Sequence, residues 1–345
     1  MIKRSNFINK INNHKEMNFY KKLTLFATLL ALIVVSFGAY VRLSDAGLGC
    51  PDWPGCYGTL TVPQSIDAIE QAQSFYPDSP VETDKAWVEM IHRYIAGILG
   101  AIILLIAILS YKFKNQINYS LKWPFFLLLL VIFQAALGMW TVTMLLKPAV
   151  VSSHLIGGMS VLAILTYLMH RNYGTHRENF VTNKFERKVI RFSLALLFFQ
   201  IALGGWTSTN YAALACTDYP TCHGELIPEM DFSNAFTIFR ELGVTSLGEP
   251  LSLQALHAIQ WVHRVGAIVV LIYLLFVAYL LKINQGFNLW RNVLILVVVL
   301  QFIIGIANLL LHLPVVLATL HNLGAALLVV ILVGINSRIT KSWQS

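Results

Sequence analysis

Charge is what this sequence has least of. Only 12% of its 345 residues are charged, about half the roughly 25% of ordinary globular chains. A water-facing surface cannot be built from so few ions, which excludes a soluble globule. A hydrophobic share of 57% excludes disorder and coiled coil. Cysteine is also scarce, with four residues in two pairs, Cys50/Cys56 and Cys216/Cys222. The first 22 residues are polar and basic, and no small-residue cleavage pattern follows the apolar stretch after them, so that stretch reads as a retained helix rather than a signal peptide.

Long apolar runs fill the rest, and the mean hydropathy is +0.65. The class is all-α integral membrane, because runs near the roughly 20 residues of a bilayer crossing indicate helices rather than a barrel. Eight spans are expected, over 23–43, 89–111, 123–144, 151–169, 189–209, 257–281, 291–311 and 315–335. With the N-terminus inside, nineteen of the 25 basic residues fall in inside segments, against three of the 17 acidic ones (Glu16, Glu178 and Glu186). Both termini are therefore expected in the cytoplasm. Topology accounts for the net charge of +8, and no nucleic-acid partner is expected. Two long outer loops, 44–88 and 210–256, each carry one cysteine pair in a compartment that permits disulfides.

The spans repeat as two tandem pseudo-symmetric four-helix bundles. Cys50 and Cys56 match Cys216 and Cys222 at an offset of 166; Gln134, Gly138 and His154 match Gln301, Gly305 and His321 at 167; His92-Arg93 matches His263-Arg264 at 171. The expected organisation is a basic cytoplasmic tail (1–22), a first half (23–169), a cytoplasmic linker (170–188), a second half (189–335) and a cytoplasmic tail (336–345).

Of ten histidines, His14, His170 and His176 fall in inside segments, and His223, His257 and His312 in or beside outer loops. His92, His154, His263 and His321 each lie in the first turns of an even-numbered span, all near the outer face, where a polar group is costly unless paired or functional. Small residues follow at i+3 (Gly157, Gly266, Gly324) and at i+4 (Ala96, Gly158, Ala267, Ala325). Such residues share the histidine's helix face and are expected to leave a gap for a flat macrocycle. Two bis-histidine haem sites result, one per bundle. The alternative is that the histidines bond between closely packed helices. Two histidines per half with few carboxylates suit zinc poorly. Arg93, Arg264 and Arg42 either meet haem propionates or extend to the interface.

The halves differ at one polar position. Glu89 stands three residues before His92, where Gln260 stands before His263. A carboxylate beside a haem pocket can move protons or balance a cation, and an amide can do neither, so Glu89 is the candidate catalytic residue; otherwise it is one more acid of an acidic loop. Each CX5C segment is expected to close as a disulfide, helped by Pro54 with Gly55 or by Pro220. For Cys50–Cys56 a redox role stays open. The insert 64–86 is expected to place a small helix over the first pocket.

The segments GAYVRLSDAGLGCPDWPGC (38–56), EMIHRYIAG (89–97), SSHLIGGM (152–159), CTDYPTCHG (216–224), WVHRVGA (261–267) and TLHNLGAAL (319–327) resemble the haem A synthase family of the Cox15/CtaA type, over about 20–335. The resemblance implies oxidation of the C8 methyl of haem O to a formyl group, giving haem A for cytochrome c oxidase in a bacterial inner membrane. It implies that His263 and His321 are axial ligands of a resident haem b (iron protoporphyrin IX) and that His92 and His154 bind the substrate haem O. It also matches Glu89 to the family's essential acid. Haem O synthase and oxidase assembly factors are the implied partners, and homo-oligomerisation is left open. Rival readings are a di-haem b-type electron-transfer protein, a quinone-linked thiol oxidoreductase and a repeat-built transporter.

Overall fold

The structure is a computed structural model that describes residues 2–117, 119–173, 180–282 and 288–341. Eight helices in it are long and apolar enough to cross a membrane. They are α1 (Ile2–Leu43), α3 (Thr83–Lys112), α4 (Lys122–Thr143), α5 (Pro148–Tyr173), α6 (Lys184–Thr209), α8 (Leu253–Lys282), α9 (Asn288–Leu310) and α10 (Val315–Asn336). Two short helices, α2 (Ile66–Phe75) and α7 (Phe232–Ala235), belong to the connecting segments.

Every expected span is present, with most ends extended by a few residues and the C-terminal ends of α4 and α9 one residue shorter. The largest difference is at α1, which is helical from Ile2 rather than preceded by a tail. No glycine or proline occurs before Gly38, so nothing in the backbone stops the helix. The linker residues His176, Arg177 and Glu178 lie outside the described residues. The linker's end, β1 (Phe180–Thr182), pairs in parallel with β2 (Ile339–Lys341) after the last span. Asn183 and Glu186 then form a capping box that starts α6.

Burial is inverted relative to a water-soluble protein. Phe26, Leu29 and Ile33 of α1, Leu129 and Phe133 of α4, and Leu300 and Ile303 of α9 are exposed, as lipid-facing residues are. The packed interior is aliphatic: Ile103 and Ile106 of α3, Leu162, Leu165 and Leu168 of α5, Leu274 and Val277 of α8, and Leu332 and Ile335 of α10 form one core. Neighbouring pairs are α1–α3, α3–α4, α4–α5 and α1–α5, then α6–α8, α8–α9, α9–α10 and α6–α10. Contacts α1–α10, α5–α6 and α5–α10 join these sets, so α5 and α10 sit centrally.

Candidate functional site

Each of the four intramembrane histidines lies against a glycine of the preceding span. A Cβ at Gly38 (α1) would stand 2.9 Å from Cε1 of His92, at Gly138 (α4) 3.5 Å from that of His154, at Gly204 (α6) 3.1 Å from that of His263, and at Gly305 (α9) 3.0 Å from that of His321. Three of these distances are too tight for any side chain to be added without movement. The glycines let the backbone of the preceding span approach Cε1 of each imidazole closely. His154 is an electrostatic neighbour of His92, and His321 of His263, so the structure pairs the histidines within each expected half. Nδ1 of His92, His154 and His321 is buried without a hydrogen-bond partner.

Of the i+3 glycines, Gly266 borders a cavity of about 230 Å³ with Gln200 in its wall, and all three meet a side chain of the preceding span. Gly157, Gly266 and Gly324 are each covered by a glutamine amide of the preceding span: Gln134, Gln200 and Gln301 respectively. A Cβ at any of the three would collide with that amide. Room for the imidazole also comes from the four glycines against Cε1. The sequence carries this signal: Gly138 and Gly305 lie four residues after Gln134 and Gln301, Gly204 lies four after Gln200, and Gly38 stands 166 residues before Gly204.

Both cysteine pairs are disulfides, and all four cysteines are buried. The two loops are held alike. Asp52 accepts from the amides of Tyr57 (2.6 Å) and Gly58 (2.8 Å), and Asp218 from those of His223 (2.6 Å) and Gly224 (2.9 Å). With Thr221 also donating to it, these bonds hold the half-buried Asp218 carboxyl well below the usual carboxylate range. Helix α2 packs Ala72 against the first loop, in a cluster with Cys50, Cys56, Val62 and Met90. The insert's expected helix therefore exists and covers the disulfide. Replacing Cys50 and Cys56 by serine should destabilise the loop by about 2 kcal/mol, from the closure entropy of so short a ring. Faster proteolysis of 44–82 in the oxidised-state comparison checks this.

Glu89 is buried at 5% exposure. Its Oε2 accepts from the Cys50 amide at 3.0 Å, and its Oε1 pairs with Arg93 at 2.5 Å. Arg93 also donates to the carbonyls of Asp52 and Gly55. At the matching place Gln260 accepts from the Cys216 amide (2.5 Å) and donates to the Ala213 carbonyl (2.6 Å). Arg264 donates to the carbonyls of Thr221 and Cys216. Glu89 and Gln260 thus do the same mechanical task, tying a disulfide loop to the helix three residues before a histidine. They differ in charge. Arg42 donates to the Ser208 carbonyl and the Tyr211 hydroxyl, linking the end of α1 to the end of α6. All three arginines are thus engaged with protein groups. His257, expected beside the second outer loop, is 8% exposed, has its Nδ1 3.4 Å from the Glu229 carbonyl, and lies within 4.8 Å of the Cys216 and Cys222 sulfurs.

A porphyrin fits this donor set. Paired buried imidazoles, three of them with an unpartnered Nδ1 and each with a glycine against its Cε1, suit ligation of a haem iron. The one carboxylate close in sequence to any of the four, Glu89, is engaged by Arg93 and the Cys50 amide.

These features define a polytopic helical membrane protein with paired intramembrane histidines. The COX15-CtaA family, described as cytochrome oxidase assembly protein, matches residues 21–333, and the chain belongs to that family. The chain is 44% identical over 330 residues to a heme A synthase of Shewanella oneidensis, covering 93% of this chain and 96% of that one. It is 26% identical over 302 residues to the heme A synthase of Alkalihalophilus pseudofirmus (85% and 87% covered). Against that of Neorickettsia sennetsu it is 25% identical over 325 residues (90% and 95%).

Proposed function

We propose that this chain is a haem A synthase: a membrane oxidoreductase that converts the C8 methyl of haem O to a formyl group. The substrate half-reaction is R–CH3 + H2O → R–CHO + 4 H⁺ + 4 e⁻, by successive hydroxylation and loss of water, and an external oxidant, dioxygen or a respiratory-chain acceptor, takes the four electrons. The observation that carries it is the recurrence, four times, of a histidine whose Cε1 lies against a glycine of the preceding span, in a chain of this family.

Residues 23–169 are the substrate half, with haem O between His92 and His154. Residues 189–335 are the cofactor half, where His263 and His321 would hold a haem b, which would supply one-electron redox chemistry when bound. Glu89 and Arg93 place a buried ion pair one turn from His92. The ionised carboxylate stabilises positive charge developing near the methyl being oxidised and accepts protons released there. Gln260 offers no such charge, which separates the roles of the halves. Arg42, Arg93 and Arg264 add positive potential at the same membrane depth, favourable to propionates, while their present partners fix the loops.

The protein lies in the bacterial inner membrane with both termini in the cytoplasm, as the basic inner segments require. It receives haem O from a haem O synthase and passes haem A to cytochrome c oxidase through its assembly factors. Burial of all four disulfide sulfurs disfavours a thiol oxidoreductase, which needs an accessible cysteine.

The test is pigment extraction after expression with and without haem O supply. A formylated porphyrin is expected only with haem O. Extraction of unmodified haem alone, under both conditions, would identify a di-haem electron carrier instead.

A further inference from the structure

Two of the four histidines are gripped at two points by the preceding span, a third has the same residues around it without the hydrogen bond, and the fourth lacks them. In α6, Gln200 Nε2 donates to the His263 carbonyl at 2.9 Å and stands 3.0 Å from His263 Nδ1. The Gln200 amide also fills the notch at Gly266. One turn on, Gly204 lies under the ring of the same histidine. In α9, Gln301 Nε2 donates to the His321 carbonyl at 2.8 Å and fills the notch at Gly324, and Gly305 lies under that ring. In α4, Gln134 fills the notch at Gly157 and Gly138 lies under the His154 ring, but the Gln134 Nε2 is buried without a partner.

At His92 the clamp is absent. Gly38 is present under the ring. Val34 stands where the glutamine would be, and Ile95 stands at the i+3 position that is glycine after the other three histidines. His92 therefore has no amide against its backbone or its Nδ1, and that nitrogen is buried and unpartnered.

We propose that Gln200 and Gln301 are positioning residues that lock the second-half imidazoles, that Gln134 does so more weakly for His154, and that His92, lacking a clamp, is the axial position at which haem enters and leaves. The proposal rests on the reading of these histidines as haem ligands. Its physical basis is preorganisation. An imidazole held on its backbone and its ring loses little freedom on ligation and releases its ligand slowly, whereas an unclamped one reorients. An amide offers both a donor and an acceptor, so it serves Nδ1 in either protonation state. One chain thereby combines a retained cofactor with an exchangeable substrate on the same ligand type.

The test loads the full-length protein in detergent with haemin and follows haem transfer to excess apomyoglobin. Wild type should release haem in a fast phase and a slow phase. Gln200→Met and Gln301→Met keep the side-chain volume and remove the amide; each should speed the slow phase by about tenfold and leave the fast phase alone. Val34→Gln combined with Ile95→Gly should slow the fast phase by about tenfold. The low-spin electron paramagnetic resonance signal of the slow-phase haem should broaden in the methionine variants, which loss of global stability alone would not produce. Methionine variants that load haem fully yet release it at the wild-type rate overturn the proposal, as does a single release phase in wild type. A wild type that takes up no haem at all overturns the reading of function and this proposal together.

Discussion

Glu89→Gln should lower haem A output by about 100-fold or more, the range for loss of a group that handles charge and protons in a reaction, while leaving the protein folded and haem-loaded. The chain contains its own control for that expectation. Gln260 occupies the equivalent place in the other cysteine loop and still accepts from the Cys216 amide, so glutamine at 89 can accept from Cys50 in the same way. What the substitution removes is the negative charge beside Arg93. Haem A as a fraction of total extracted haem, at matched protein level, is the measurement. Full output from a haem-loaded variant would reduce Glu89 to a loop anchor.

Replacing His263 by alanine should remove about half of the haem bound per chain, because an axial ligand to iron has no substitute nearby. His321→Ala should do the same. The pyridine haemochrome of purified protein, compared with protein mass, gives the stoichiometry. His92→Ala should spare the second-half haem and abolish formation of haem A. If His263→Ala and His92→Ala lost the same haem, the assignment of separate sites to the two halves would fail.

Span number was legible because bilayer thickness imposes a length on every apolar run, and the helices found differ from the expected ranges only at their ends. The α1 start was not legible: polar residues before a span read as tail, yet residues without glycine or proline continue a helix into water. The four histidines stood out because imidazoles in apolar segments are rare. The glutamines beside the i+3 glycines were not legible. Sequence spacing shows which residues share a face, but not which residue of another helix occupies that face. Gln134, Gln200 and Gln301 supply it. The equivalence of Glu89 and Gln260 as loop anchors was equally hidden, since their amide donors lie 39 and 44 residues away in the chain. Their difference in charge was visible directly.

The parallel pairing of β1 with β2 has a bearing on biogenesis. Phe180 leaves the ribosome long before its partner Ile339, which follows the eighth crossing. The latch between them can close only when every crossing has been translated and threaded into the bilayer. A quality-control protease that attacks the unlatched strand would therefore discriminate finished molecules from stalled ones.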